Sequence, residues 1–150
     1  KGYWEMPEKT REELREDGFF ITGDIGVIDE EGYVTIVGRQ KDLIITGGYN
    51  VYPKEIELIL DEQPGVLESA VIGVPHPDFG EAVIAVLVPS AGEDPDVAAI
   101  TAAMGQSLAR FKQPKHIALL TELPRNTMGK VQKNLLRDQF KTLFATATIA

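Results

Sequence analysis

Three short stretches of this 150-residue chain carry side chains whose types and spacing could do chemistry. Phe20-Ile21-Thr22-Gly23-Asp24 ends an apolar run on a glycine and a carboxylate. Such a carboxylate can accept two hydrogen bonds from a sugar diol. It can also close a turn on its own backbone, and on five residues alone the turn is the stronger reading. The stretch from Gly38 to Glu57 sets Arg39-Gln40-Lys41-Asp42 ahead of the pair Gly47-Gly48. Glycines let backbone approach a ligand closely, or they merely end a hairpin; their entropic cost argues for a position that needs them. The third stretch, Leu123-Pro124-Arg125-Asn126-Thr127-Met128-Gly129-Lys130, ends in Gly-Lys ahead of a helical pattern. It is not a P-loop, which requires glycine where Pro124 stands and Ser or Thr where Val131 stands. What remains is one ammonium on a polar loop, where a lysine is ordinarily just solvated.

Composition removes several classes. With 23 acidic and 15 basic side chains the net charge is −8, the opposite of a nucleic-acid footprint, so no nucleic-acid partner is expected. Local donors can still bind an anion despite that balance. The absence of cysteine excludes disulfides, thiolate metal sites and a cysteine nucleophile. His76 and His116 lie too far apart in sequence to suggest a metal site, and none is assigned. No apolar run approaches the roughly 20 residues that cross a bilayer, and no signal peptide opens the chain. A soluble cytoplasmic protein without a membrane span is expected. Lys1-Gly2-Tyr3-Trp4 lacks an initiator Met and opens on an aromatic pair, so the chain is expected to begin inside a larger protein.

The elements that position the three loops follow from pattern. Thr10 and Glu13 have the spacing of a capping box for a short first helix ended by Asp17-Gly18. Phe19 to Ile21 reads as a strand. Ile25 to Ile28 and Tyr33 to Val37 read as a hairpin across Asp29-Glu30-Glu31-Gly32. A second β pair surrounds residues 39–42, with Leu43 to Thr46 returning and the glycine pair ending it. Pro53 suits the first turn of a helix that buries Ile56, Ile59 and Leu60 and turns Glu55 and Glu57 outward. Ser69 to Val74 and Ala82 to Val88 read as buried strands around the turn-rich segment 75–80. A helix opens at Asp94-Pro95, His116 to Leu120 forms a strand, and a last helix shows Leu136, Phe140 and Leu143 on one side. His76 reads as a loop residue, and Trp4, Phe19 and Phe20 as packing residues. Residues after Ala145 show no pattern and are expected to fray. The fold class is α+β, a three-stranded sheet with helices over one face, plus a β-hairpin, preceded by a β-rich segment.

Taken together, the three loops resemble the later core motifs of the adenylate-forming superfamily, which comprises acyl-CoA synthetases, peptide-synthetase adenylation domains and beetle luciferases. The long middle motif ending in Glu55-Ile56-Glu57 is the most specific part. The resemblance implies that residues 1–40 end a large amino-terminal domain, that 41–143 form a small swivel domain, and that 144–150 are a flexible tail. It implies a role for Asp24 at the ribose of ATP and for Arg39 at the ribose or phosphates. Lys41 falls at the hinge position, Gly47 and Gly48 at the pantetheine tunnel, and Lys130 at the lysine that meets the reacting carboxylate and α-phosphate. Thr46 to Pro53 looks like the acyl-CoA synthetase branch. Lys1 to Trp4, Met6 to Thr10 and Pro124 to Lys133 are similar to malonyl-CoA synthetases. The implied partners are a small carboxylic acid, ATP, coenzyme A and the chain's own amino-terminal domain, with magnesium held mainly outside these residues.

Two other classes compete with the ligase reading. One is an adenylation domain that loads a carrier protein, although Leu143 to Ala150 reads like a chain end. The other is a non-catalytic swivel module, which loss of Asp24 or Lys130 would have favoured. The cluster Lys112, Lys115, Lys133, Arg137 and Lys141 could meet CoA phosphates or be a solvated face. Acetylation of Lys130 by a lysine acetyltransferase would remove its charge and block adenylation. Without the rest of the active site, the 150 residues alone are expected to be inactive.

Overall fold

The computed structural model describes residues 2–145; Lys1 and the tail residues 146–150, part of the segment expected to fray, lie outside the described residues. The chain divides into two compact units, Lys1–Lys41 and Asp42–Ala150, against an expected junction between residues 40 and 41.

In the first unit, helix α1 spans Pro7–Glu13 with proline at its start, where the missing N–H is no loss. The capping box does not form, because Thr10 lies inside the helix. Its hydroxyl instead accepts from the Tyr3 N–H at 2.9 Å and donates to the Met6 carbonyl at 2.9 Å. The Tyr3 hydroxyl donates to Glu13 at 2.5 Å, and this bond to a carboxylate raises the phenol above its usual pKa. Phe19 to Ile21 is not a strand. Gly18, at φ +87°, turns the chain back, but only Phe20 bridges Leu14. Strands β1 (Asp24–Ile28) and β2 (Val34–Arg39) form the expected hairpin. Asp29 closes its turn by accepting from the Glu31 and Tyr33 N–H groups at 3.0 and 2.8 Å. A two-stranded ribbon has no layer to bury its faces, so Val27, Ile28, Tyr33, Val34 and Ile36 are exposed, as are Trp4, Phe19 and Phe20.

The second unit is built on a long hairpin. Strands β5 (Val66–His76) and β6 (Gly80–Pro89) pair antiparallel along their whole length, so the turn between them is shorter than segment 75–80. Between the first unit and this hairpin come β3 (Ile44–Thr46), β4 (Tyr49–Val51) and helix α2 (Pro53–Asp61). After the hairpin come helix α3 (Val97–Ser107), strand β7 (His116–Leu119) and helix α4 (Lys133–Phe140). The three expected strands do pair, β7 lying parallel to β6, and β3–β4 joins β6 at Gly80 to make five. The start of α3 moves beyond Pro95 because Asp96 caps it, accepting from the Ala98 and Ala99 N–H groups at 3.0 Å each.

Helices cover both faces of this sheet rather than one. Alternation sends Val71, Val83, Ala85 and Leu87 toward Ile56 and Leu60 of α2 and Ile100 and Met104 of α3. It sends Ile72, Val74, Ile84, Val86 and Val88 toward Leu136 of α4 and Leu123. Burial on both sides is why the two strands read as continuous apolar runs. Leu143 lies past the end of α4 and is partly exposed.

Glu57 does not face outward. It is 8% exposed, and its carboxylate accepts from the Val71 N–H at 2.9 Å and from Lys133 Nζ at 2.5 Å. The 3.6-residue period puts Glu57 on the stripe of Pro53 and Leu60, which the buried set of α2 includes. The carboxylate thereby satisfies an N–H on the outer edge of β5 and ties α2 to α4. Replacing Glu57 with Ala leaves both donors unpaired and should destabilise the fold by about 3 kcal/mol. Glu57→Gln, which keeps an acceptor for Val71, should lose less. Urea denaturation measures both, and a loss in Glu57→Ala no greater than that of a surface substitution would refute the brace.

Candidate functional site

Each sequence-selected residue has a definite place. Asp24 opens β1 directly opposite Arg39 at the end of β2. The Arg39 Nε lies 3.0 Å from Asp24 Oδ1, an ion pair, so the hairpin register, not sequence proximity, brings the carboxylate and guanidinium together. The Asp24 N–H donates to Thr22 Oγ1 at 3.1 Å and the Gln40 N–H to the Gly23 carbonyl at 2.9 Å. The side chain of Asp24 is not consumed by its own turn. Its partner Arg39 lines a hollow of about 460 Å³ with Lys9, Glu13, Thr22, Gly23, Gln40 and Lys41, a lining that does not include Asp24 itself. Its cations and backbone polar groups suit a polyanion or a polyol better than an apolar ligand.

Lys41 sits in a single turn of 3₁₀-helix, Gln40–Asp42, at the division of the two units. The next residue, Asp42, accepts from Arg137 of α4 at 2.8 Å, so the chain is fastened to the second unit immediately after Lys41.

Gly47 and Gly48 do not end a hairpin; they are the turn of one, between β3 and β4. Both have positive φ, +56° and +84°, as a two-residue turn of type I′ requires. The Gly47 N–H donates to the Phe79 carbonyl at 2.8 Å, which seats the turn beside the start of β6. A side chain at Gly48 would meet nothing within 4 Å. The pair is therefore demanded by backbone conformation and leaves an open, low-relief surface.

The Lys130 loop is more elaborately tied. Asn126 Oδ1 accepts from the Met128 and Lys130 N–H groups at 3.0 and 2.9 Å. The Asn126 N–H donates to the Lys130 carbonyl at 2.9 Å, and Arg125 bridges Val131 across the loop. Gly129, at φ +78°, provides the reversal. Arg125 also pairs with Glu68 near the start of β5. Lys130 itself is exposed and has no carboxylate within ion-pair distance among the described residues.

These anchors put the glycine turn and the lysine loop at opposite ends of the central hairpin. One is held where β6 begins, beside His76 and Gly80; the other is held at Glu68. Eight residues of extended strand separate Glu68 from His76, roughly 26 Å. Of the late basic residues, Lys112, Lys133, Arg137 and Lys141 pair with Glu55, Glu57, Asp42 and Asp138. Lys115 instead lies over the Phe79 ring at 4.4 Å, next to the glycine turn. Among the described residues no group of three or more His, Asp or Glu could hold a metal ion.

The profile of the AMP-binding enzyme C-terminal domain matches residues 55–130, just over half of the chain. The chain belongs to this family. Among solved structures, ATP-bound MatB from Rhodopseudomonas palustris is 61% identical with a TM-score of 0.87, over 96% of this chain and 29% of that one. The long-chain-fatty-acid–CoA ligase FadD13 of Mycobacterium tuberculosis is 46% identical over 140 residues, 93% of this chain and 27% of the ligase. The fatty acid–[acyl-carrier-protein] ligase ScoC of Streptomyces coeruleorubidus is 44% identical over 92% of this chain and 26% of that protein. The chain thus spans about a quarter of the length of the curated relatives it matches.

Within this AMP-binding C-terminal unit, sequence reasoning missed Glu57, Glu68 and Asn126. Glu57 could have been found by its period; Asn126 by its Asx spacing to Lys130. Glu68 carried no local signal, since its partner is 57 residues away. Because Gly47 and Gly48 are conformational, Gly48→Ala should lose about 1 kcal/mol by left-handed backbone strain alone. Denaturation midpoints check this, and an unchanged midpoint would show that the turn tolerates a Cβ.

Proposed function

We propose that these residues are the carboxy-terminal part of an ATP-dependent carboxylic acid–CoA ligase. The whole enzyme joins an acid to ATP, giving an acyl-adenylate and pyrophosphate, and then transfers the acyl group to CoA, releasing AMP. The observation that carries the reading is the placement of an exposed ammonium and a smooth glycine turn at opposite ends of one hairpin.

The two half-reactions ask for opposite surroundings. Adenylation presses a carboxylate against the α-phosphate, and a positioned Lys130 ammonium offsets the repulsion and the charge that builds up. Thioester formation needs the ammonium withdrawn and a narrow way in for a thiol, which the side-chain-free turn at Gly47 and Gly48 provides. Rotation about Lys41 presents one end and then the other, a gated step. Asp24 accepts from the ribose hydroxyls, held in place by Arg39, which faces the nucleotide. The pantetheine end of CoA would pass the glycine turn with Lys115 available to a phosphate. The exposed apolar faces of the first unit would pack on the remainder of the large amino-terminal domain.

Malonate is the proposed acid, on the segments that resemble malonyl-CoA synthetases. The proposal sets the ligase in the cytoplasm and in fatty acid metabolism, with magnesium accompanying ATP and held mainly by residues outside these 150. It includes control by acetylation of Lys130, which would remove the ammonium. The similarity to ScoC keeps a second reading in view, in which the acyl group goes to a carrier protein.

The test is CoA-dependent AMP release by the ligase that carries this chain, with malonate, methylmalonate, acetate and longer acids. Malonate should be preferred, and Lys130→Ala should lower acid-dependent ATP–pyrophosphate exchange about 100-fold. Acyl transfer to a carrier but not to CoA would favour the second reading. Unchanged exchange in Lys130→Ala would refute the lysine's role.

A further inference from the structure

An exposed lysine on a seven-residue loop is a poor catalyst unless something fixes where its ammonium arrives. The structure shows what does. The two ends of the Arg125 guanidinium do different jobs: Nη2 pairs with Glu68 on β5, and Nη1 donates to the Gly129 carbonyl at 2.6 Å. Gly129 is the residue immediately before Lys130. One planar fork therefore joins the loop's apex to the longest strand of the sheet, which is buried on both faces. Asn126 holds the Lys130 N–H from inside the loop, and Lys133, three residues on, is held by Glu57. Both carboxylates, Glu57 and Glu68, thus fasten the two sides of the lysine loop to the same edge of the fold.

We propose that Arg125 and Glu68 are positioning residues for Lys130, setting the location of its ammonium for adenylation while taking no part in the thioester step. The proposal rests on the adenylating role given to Lys130 above. Arg is required rather than Lys because a guanidinium can bridge a carboxylate and a carbonyl at once in a fixed plane, whereas an ammonium is a point charge on a flexible stem. A misplacement of about 1 Å at a reacting group can cost on the order of 100-fold in rate.

The experiment uses the ligase that carries this chain and measures its half-reactions separately: acid-dependent ATP–pyrophosphate exchange, and thioester formation from supplied acyl-adenylate and CoA. Arg125→Ala should lower the kcat of exchange about 30-fold with KM for acid and ATP within about twofold. Thioester formation should stay within about twofold, because the lysine loop is then disengaged. Glu68→Ala should follow Arg125→Ala, and Arg125→Lys should fall between it and the parent. Thermal melts accompany each variant, and if Arg125→Ala does not fold then Arg125→Lys and Glu68→Ala decide. Equal losses in both half-reactions would overturn the proposal, since that is what general loosening produces. Exchange retained in the Arg125 and Glu68 variants but lost in Lys130→Ala would overturn it while leaving the ligase reading intact. Exchange retained in Lys130→Ala would remove the lysine's role and the positioning proposal with it.

Discussion

The second unit depends on one buried carboxylate. The strand β5 is the end strand of its sheet, and an unpaired strand edge invites either water or another chain. Glu57 meets that edge with an acceptor for Val71 and at the same time neutralises Lys133. It does so from α2, which packs on one face, toward α4, which packs on the other. The helices on the two faces are thus joined around the edge of the sheet as well as through it. A carboxylate so enclosed is tolerable only because both donors are present, so the three groups stand or fall together.

The two units differ in how they are stabilised. In Asp42–Ala150 the alternation along β5 and β6 fills two apolar layers. In Lys1–Lys41 a ribbon and a short helix leave large apolar side chains in water, and local hydrogen bonds donated by Thr10 and Tyr3 and accepted by Asp29 set much of its shape. The site residues divide in the same way. Asp24 and Arg39 are placed by strand register, whereas Lys130 is placed by loop chemistry anchored to a packed sheet.

Sequence reading succeeded where structure is written in period and turn chemistry. The hairpin around Asp29, the buried strands of the central hairpin and the helix behind Pro53 were all visible in that way. It failed where a residue's partner is distant or unexpected. Thr10 has a capping spacing, yet Pro7 starts the helix earlier and Thr10 finds the Tyr3 N–H instead. Glu57 reads as outward by residue type, although its position lies on the buried stripe. The second face of the sheet went unrecognised because both faces of a doubly buried strand have the same apolar composition. The glycine pair reads as an ending in sequence, since the three residues of β4 are too few to show alternation. The long middle motif and the Gly-Lys loop were legible as a family likeness, while the ties that hold the loop in place were not.

The pairing of Asp42 with Arg137 bears on how the chain enters the second unit. Asp42 is the first residue of the second unit, and Arg137 lies in α4, whose preceding loop carries Lys130. Asp42 thus ties the first residue of the second unit directly to that helix. Within the second unit, the entering backbone is therefore fixed to α4 and not loosely tethered. Such a coupling is made of two partly solvated charges, so its stiffness would vary with ionic strength. How firmly the chain is held where it enters the second unit, and not only how that unit's core packs, would then be a quantity set by the surrounding salt.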